Sequence, residues 1–318
     1  MQLRKLGQTG LSVSKLSYGA SSLGGVFRGI REEDGIRTVH ESLDAGINYI
    51  DVAPYYGATK AETVLGKALR EIDRDRYILA TKVGQYDDEV FDFSAERVTR
   101  SVEESMGRLG VEYIDLIQCH DIEFAEVSQI VNETLPALHK LKTQGKVGHV
   151  GITALPLKVL REVVRQTDPG VVETVLSFCR YALNDTALEA ELDLYESKGI
   201  GVINASPVGM GLLTERGAPA WHPASKIIQE GCRRAVDACT ERGYNIVELA
   251  IQFAVANERI ATTLVGSANP ENMRKNIAWA ETPPDPEAMA FAREALAPIH
   301  NFNYTRGLEA NRDPLIGN

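Results

Sequence analysis

DGIRTVHESLDAGINYIDVAPYYG, residues 34–57, decides the fold. In its first half Ile36, Val39, His40 and Leu43 recur at helical spacing, so one face of a helix is apolar. After Gly46 the pattern changes to INYID (47–51), an apolar run of strand length that ends in a carboxylate. A proline, two tyrosines and a glycine follow at once. The unit reads as a helix, a buried strand and a loop carrying polar chemistry.

The same kind of unit recurs along the chain. Further apolar runs are KLSYGAS (15–21), YILATK (77–82), YIDLIQCH (113–120), KVGHVGIT (146–153), VVETVLSF (171–178), GIGVINAS (199–206) and IATTLVGS (260–267). Amphipathic stretches lie between them. In SAERVTRSVEESMGRLG (94–110), Ser94 is a start signal and Gly110 a stop signal. VSQIVNETLPALHKLKTQG (127–145) has Pro136 inside it, which predicts a kink. Eight strands alternating with helices predict a parallel sheet. That number of βα units in one chain of this length suits a closed (β/α)8 TIM barrel. The expectation is α/β: one barrel domain over residues 1–318, with an N-terminal β-hairpin and a C-terminal helix and tail. The tail GLEANRDPLIGN is expected to be mobile or draped over the rim. An open doubly wound sheet needs a Gly-x-Gly-x-x-Gly turn after its first strand. GASSLGG (19–25) lacks that spacing.

Composition narrows the function. The chain is 44% hydrophobic and 25% charged, ordinary for a water-soluble domain, and its formal net charge is −10. That charge argues against nucleic acid or an anionic membrane surface as partner. No apolar run reaches the ~20 residues of a membrane span. MQLRKLGQTG does not read as a secretory signal. The four cysteines, Cys119, Cys179, Cys232 and Cys239, show no metal-site spacing. Reduced thiols in a cytoplasmic monomer or weak homo-oligomer are expected.

In a barrel of this kind the chemistry gathers at the C-terminal ends of the strands. Standing there are Asp51, Tyr55 and Tyr56 after the second strand, Lys82 after the third, His120 after the fourth and Thr153 after the fifth. A lysine ending an apolar strand needs a counter-charge, and Asp51 on the neighbouring strand supplies one. An ammonium beside Tyr56 is expected to lower the phenol's pKa and fit it for proton transfer near neutral pH. His120 can orient a substrate oxygen. Cys119, one residue earlier, should face the other side and be inert. Singly, each of these residues has an ordinary structural reading. Their recurrence at successive strand ends points to catalysis.

With these residues the chain resembles the aldo-keto reductase family over nearly its whole length. The resemblance is carried by LGQTGLSVSKLSYGA, GINYIDVAPYYG, ATKVG, YIDLIQCHD, GKVGHVGIT, ASPVGMGLL and VGSANPENMRKNI. It implies a catalytic tetrad of Asp51, Tyr56, Lys82 and His120, with hydride passing between a substrate carbon and a nicotinamide. Within the family, FDFSAERV, CHDIEFAE, GITALPL, ASPVGMGLLTE and WHPAS are similar to plant-type L-galactose dehydrogenases. That implies oxidation of L-galactose or a related L-sugar at C1 to a lactone. Alternatives are an L-fucose or D-threo-aldose dehydrogenase, an NADPH-dependent aldehyde reductase, and a non-catalytic nucleotide-sensing subunit.

The resemblance also implies the cofactor site: Gly19, Ala20, Asp51, Thr153, Ser177, Ser206, Pro207, Val208, Gly209, Gly211, Leu212, Gly266, Ser267, Asn272 and Asn276. Relatives that prefer NADP often carry a basic residue at the positions of Gly266 and Asn272, so NAD is expected here. Arg274 and Lys275 keep NADP open. The aromatic that often stacks on nicotinamide is replaced by Ala205. Ser21, Tyr55, Tyr56, His120, Trp221 and His222 are expected to line the substrate pocket.

Overall fold

A computed structural model describes residues 1–26 and 29–317. The first two strands, β1 (Leu3–Lys5) and β2 (Ser12–Ser14), form an antiparallel hairpin. The barrel strands begin with β3 (Leu16–Gly19), β4 (Tyr49–Asp51) and β5 (Ile78–Val83). A short hairpin, β6 (Gln85–Asp87) and β7 (Val90–Phe91), follows β5 at its C-terminal end. Then come β8 (Ile114–Cys119), β9 (Val147–Ala154), β10 (Thr174–Phe178), β11 (Gly201–Ala205) and β12 (Thr262–Val265). The order β10-β11-β12-β3-β4-β5-β8-β9 closes on itself, with every barrel pair parallel. Each barrel strand overlaps one of the eight apolar runs, with ends that differ by up to a few residues.

Alternation along the strands sorts side chains into two cores. Tyr49, Ala80, Leu116, Leu176, Ile203 and Leu264 fill the barrel interior, and Leu6 and Val13 of the hairpin region join them. Neighbours one position away, such as Ile117, Ile152 and Val175, pack against the helices outside. Residues two places beyond the interior set therefore emerge inward at the mouth: Asp51 after Tyr49, Lys82 after Ala80, Gln118 after Leu116.

The helices follow local signals. Helix Ala95–Leu109 is capped by Ser94, whose Oγ accepts from Arg97 N at 3.4 Å, and ends at Gly110 with φ +71°. At Pro136 the expected kink takes a specific form. Ile130–Thr134 is a π-helical turn, and an α-helix resumes over Leu135–Thr143 with the proline in its first turn. The wider turn accommodates the ring and the missing N–H. Between β11 and β12 lie two helices, Lys226–Glu241 and Ile246–Ala256. The C-terminal helix Pro286–Leu296 packs on them around Ile228, Ala292 and Leu296.

The segment after that helix lies across the top of the barrel and is tied down by hydrogen bonds. Asn303 pairs with Ile316, Leu308 N donates to Glu123 O at 2.8 Å, and Asn311 Nδ2 donates to Glu123 O and Ala125 O. Asp313 accepts from Leu157 N at 2.9 Å and Lys158 N at 2.8 Å, at the start of helix Leu157–Gln166. Of the two expectations for the tail, the draped one matches this arrangement. Among the described residues no helix is long and apolar enough to cross a membrane. All four cysteines are buried and unpaired.

Candidate active site

The inward registers of β4, β5 and β8 converge on one buried lysine. Lys82 Nζ donates to Asp51 Oδ1, to Val52 O at 2.9 Å and to the Tyr56 hydroxyl at 3.2 Å. Gln118, directly across the ladder from Lys82, donates its Nε2 to Asp51 Oδ2 at 2.8 Å. Both carboxylate oxygens are thus occupied, and all three amine protons have acceptors. Such a pair is tolerable only in this fully bonded state, because the side chains of Lys82 and Asp51 are 1% and 3% exposed.

Tyr56 is delivered by a strained turn. Gly57, Ala58 and Thr59 have φ of +63°, +50° and +71° before helix Lys60–Leu69 begins. The turn lies backbone against backbone on the 3₁₀ turn Ala20–Gly24. A Cβ on Gly57 would come within 2.2 Å of Gly24 O. Only glycine permits that approach. The Tyr56 ring then meets the His120 ring edge-on, at 5.6 Å and 89°. Tyr55 stands beside both, 6.0 Å from Tyr56 and 5.9 Å from His120, with its hydroxyl on Asp88 Oδ1 at 2.8 Å.

The electrostatics correct the expectation for Tyr56. Burial raises the phenol's pKa above its ordinary value, while Lys82 pulls in the opposite direction without prevailing. Tyr56 is therefore an acid held protonated at neutral pH. Burial is the largest influence on Lys82 and disfavours its ammonium, but Asp51 and Tyr56 together outweigh it and the lysine pKa is raised. His120 goes the other way. Burial, then Lys82 and Arg306, hold its pKa well below the usual imidazole range. Its Nδ1 is buried without a partner among the described residues, and its Nε2 lies 3.8 Å from Asp121 Oδ1. A neutral imidazole here can donate one hydrogen bond to a substrate oxygen. His120 is expected not to titrate between about pH 8 and pH 6, whereas an ordinary histidine is half-protonated near ~6.5. A pH series of histidine ring NMR signals, assigned with His120→Gln, checks this, and a midpoint near the ordinary value sinks it. The sign for stability follows. Below ~6.5 the unfolded chain binds a proton that native His120 refuses, so this group makes the fold less stable as pH falls.

Of the expected cofactor residues, those after β3, β11 and β12 follow the C-terminal ends of three neighbouring barrel strands. After β11, Ser206 (φ +59°), Gly209 (+58°), Met210 (+51°) and Gly211 (+107°) fold the loop back through left-handed conformations, with Pro207 and Leu212 buried beneath. After β12, Ser267 Oγ accepts from Asn269 N at 3.1 Å, and Asn269 caps helix Pro270–Glu281 by accepting from Glu271 N. Asn272 is exposed and Asn276 half-buried on that helix. A glycine loop after β11 and a helix start after β12, on neighbouring strands of the barrel, suit a dinucleotide's phosphates.

Several expectations change. Ser177 is fully buried, but it alternates with Leu176 and Phe178 of the inner core, so it faces the helical layer and not the mouth. The inward residue at that level is Phe178, paired across the ladder with Ala205. It places an aromatic ring on the strand next to Ala205. Thr153 Oγ1 accepts from Asp121 N at 3.0 Å, so its oxygen holds the turn after β8. Gly266 lacks a basic side chain for a packing reason. A Cβ there would lie 2.1 Å from Gly19 O. Arg274, one of the two alternatives for a 2′-phosphate, pairs with Glu41 on helix Glu32–Asp44.

On the substrate side, Tyr55 and His120 face the mouth with Tyr56, and Ser21 lies half-buried in the turn after β3. His222 does not join them. Its Nε2 lies 3.1 Å from Gly209 O, its Nδ1 accepts from Ala224 N, and its ring meets Tyr304 edge-on. It braces the loop after β11. Trp221 is 52% exposed, with its ring 6.3 Å from that of His222. A residue with no signal in the sequence does reach the mouth: Arg306, from the tail. It pairs with Asp121 and Glu123 and lies over the rings of Phe124 and Phe178.

The profile described as the Aldo/keto reductase family matches residues 15–297. L-galactose dehydrogenase of Arabidopsis thaliana is 44% identical over 98% of this chain and 99% of its own length. Pyridoxal 4-dehydrogenase of Microbacterium luteolum is 30% identical over 87% of this chain and 92% of its own. A holo-form aldo-keto reductase structure from Bacillus halodurans superposes with a TM-score of 0.77 at 27% identity, covering 98% of this chain and all of that one.

Proposed function

The chain belongs to the aldo/keto reductase family, and from that premise we propose that it oxidises L-galactose, or a closely related L-sugar, at C1 to the aldonolactone with NAD. As a member of the family it is an oxidoreductase that uses a nicotinamide cofactor on a small-molecule alcohol or carbonyl carbon. One observation supports the assignment of roles most directly: Lys82 is bonded at once to Asp51 and to the Tyr56 hydroxyl inside the barrel mouth.

The bound nicotinamide dinucleotide supplies the acceptor for the C1 hydride. Tyr56 takes the C1 hydroxyl proton as its phenolate, or gives a proton back as a phenol in reduction. Lys82 stabilises the phenolate, and Asp51 with Gln118 holds Lys82 in place. His120 donates to the substrate oxygen and fixes the sugar's orientation. Because burial raises the Tyr56 pKa, alkaline conditions favour oxidation and lower pH favours reduction. The choice of NAD rests on the glycine at 266 and on Arg274 being engaged by Glu41. The buried, unpaired cysteines support a reducing, cytoplasmic setting.

Initial rates of NADH or NADPH formation from L-galactose, L-fucose, D-galactose and D-arabinose test the reading. L-galactose with NAD should exceed every other combination. Activity with NADP alone overturns the cofactor assignment and points to Lys275. Reduction of simple aldehydes without oxidation of any sugar overturns the substrate assignment.

A further inference from the structure

The inference rests on the sugar-oxidising reading and deepens it. We propose that Arg306 and Asp121 form a hydroxyl clamp beside His120, binding adjacent ring hydroxyls of the sugar and making the enzyme select polyhydroxylated substrates.

The clamp is a built site. Asp121 follows His120 directly and adopts φ +54°, ψ 54°, a left-handed conformation for a residue with a side chain. Thr153 holds it there through the Asp121 amide. Asp121 is 3% exposed, and its two oxygens are treated differently. Oδ2 accepts from Arg306 Nη2. Oδ1 has no hydrogen-bond partner among the described residues and lies 3.8 Å from His120 Nε2, the nitrogen available to a substrate oxygen in the proposed reaction. A buried carboxylate oxygen left without a donor is costly, and a ligand hydroxyl is the natural donor.

Arg306 supplies the complementary half. Its Nε donates to Glu123 Oε1 at 3.0 Å, and its guanidinium lies 5.2 Å from the Phe124 ring centroid and 5.5 Å from that of Phe178. Nη1 makes no hydrogen bond among the described residues, and about a third of the side chain is exposed at the mouth. It is close enough for its charge to act on Tyr55, Tyr56 and His120. Donor and acceptor side by side suit two neighbouring hydroxyls, one accepting from Nη1 and one donating to Oδ1.

Arg306 is placed before any ligand arrives. Gly307, with φ +88°, lies so close to Glu123 that a Cβ would be 2.3 Å from its carbonyl oxygen. Leu308, Asn311 and Asp313 then fasten the tail to the ends of β8 and β9. A preset guanidinium loses little entropy on binding, so its hydrogen bonds count nearly in full.

The test compares L-galactose with 2-hydroxytetrahydropyran, a cyclic hemiacetal with the same C1 hydroxyl and no other. Steady-state kcat and KM are measured with NAD for the wild type, Arg306→Met, Arg306→Lys and Asp121→Asn. NADH binding by fluorescence serves as the control for folding. In Arg306→Met, selectivity for the sugar should fall about 10- to 100-fold, the size of a lost charge-assisted hydrogen bond, chiefly through KM. Arg306→Lys should restore part of it, and Asp121→Asn should lose it. Equal losses on both substrates, or a loss confined to kcat, overturn the clamp in favour of a purely electrostatic effect on Tyr56 and His120. Unchanged selectivity also overturns it. A wild type that oxidises neither compound overturns the sugar-oxidising reading itself, and is recognised before any variant is made.

Discussion

Tyr56→Phe abolishes most turnover while leaving cofactor binding intact. The expected fall in kcat is about 10²- to 10⁴-fold, the usual contribution of one positioned acid–base group. The substitution removes a single oxygen. The ring keeps its edge-on contact with His120, and the turn through Gly57 against Gly24 does not depend on the hydroxyl. Lys82 loses one acceptor at 3.2 Å but keeps Asp51 and Val52 O. Stability should therefore change by no more than ~1 kcal/mol. Steady-state kinetics with L-galactose, together with NADH titration by fluorescence, reads both quantities. The combination is diagnostic because a nucleotide-sensing subunit would also bind cofactor but would show no turnover to lose. A variant retaining kcat within about tenfold would remove Tyr56 from the role of acid–base group.

The barrel is legible in the sequence because each barrel strand lies in a short, mostly apolar run and several helices carry their own start or stop signals, as Ser94 and Gly110 do. The tetrad is legible for a related reason. Asp51, Lys82 and His120 are polar residues ending runs that otherwise exclude them, so chemistry shows as a break in the pattern. Ser177 was open to misplacement by the same logic. In VVETVLSF it too is the polar residue near a strand's end, but it stands one position early, and one position in a strand reverses the face. Phe178, the residue that does face inward, is apolar and leaves no mark. The Tyr56 pKa is not legible in the sequence for a different reason. Neighbouring charges can be read from strand order, whereas desolvation depends on how completely the mouth is walled in. Arg306 lies 185 positions from Asp121 in the chain. No periodicity links a tail arginine to a strand end, so only the path of the folded tail reveals it. Gly266 shows the reverse case. Its missing side chain reads as a cofactor preference, and in the fold it is also the space taken by the carbonyl of Gly19.

Lys82→Met should destabilise the fold by about 3–5 kcal/mol as well as silence the enzyme, because it strands a buried carboxylate. Methionine preserves volume, so the loss is electrostatic and not a cavity. Asp51 would keep one donor, Gln118 Nε2 at 2.8 Å, in a site that excludes water. The double variant Asp51→Asn/Lys82→Met should therefore cost less than the sum of its parts, since no charge is left unpaired. Denaturant unfolding of the wild type, both single variants and the double variant gives that coupling directly. Additive losses would mean that the pair contributes only packing. The pH dependence carries a sign of its own. The Lys82 pKa is raised in the fold, so its contribution is fully present below the unfolded value near ~10.5 and fades as pH climbs through the folded one. Tyr56 responds oppositely to the loss of Lys82. The ammonium is the largest influence pulling its pKa down, so removing it raises the phenol further. Whatever oxidation survives in Lys82→Met should rise only at higher pH than in the wild type. A variant whose rate profile keeps the wild-type midpoint would show that Lys82 holds Asp51 in the structure without tuning Tyr56.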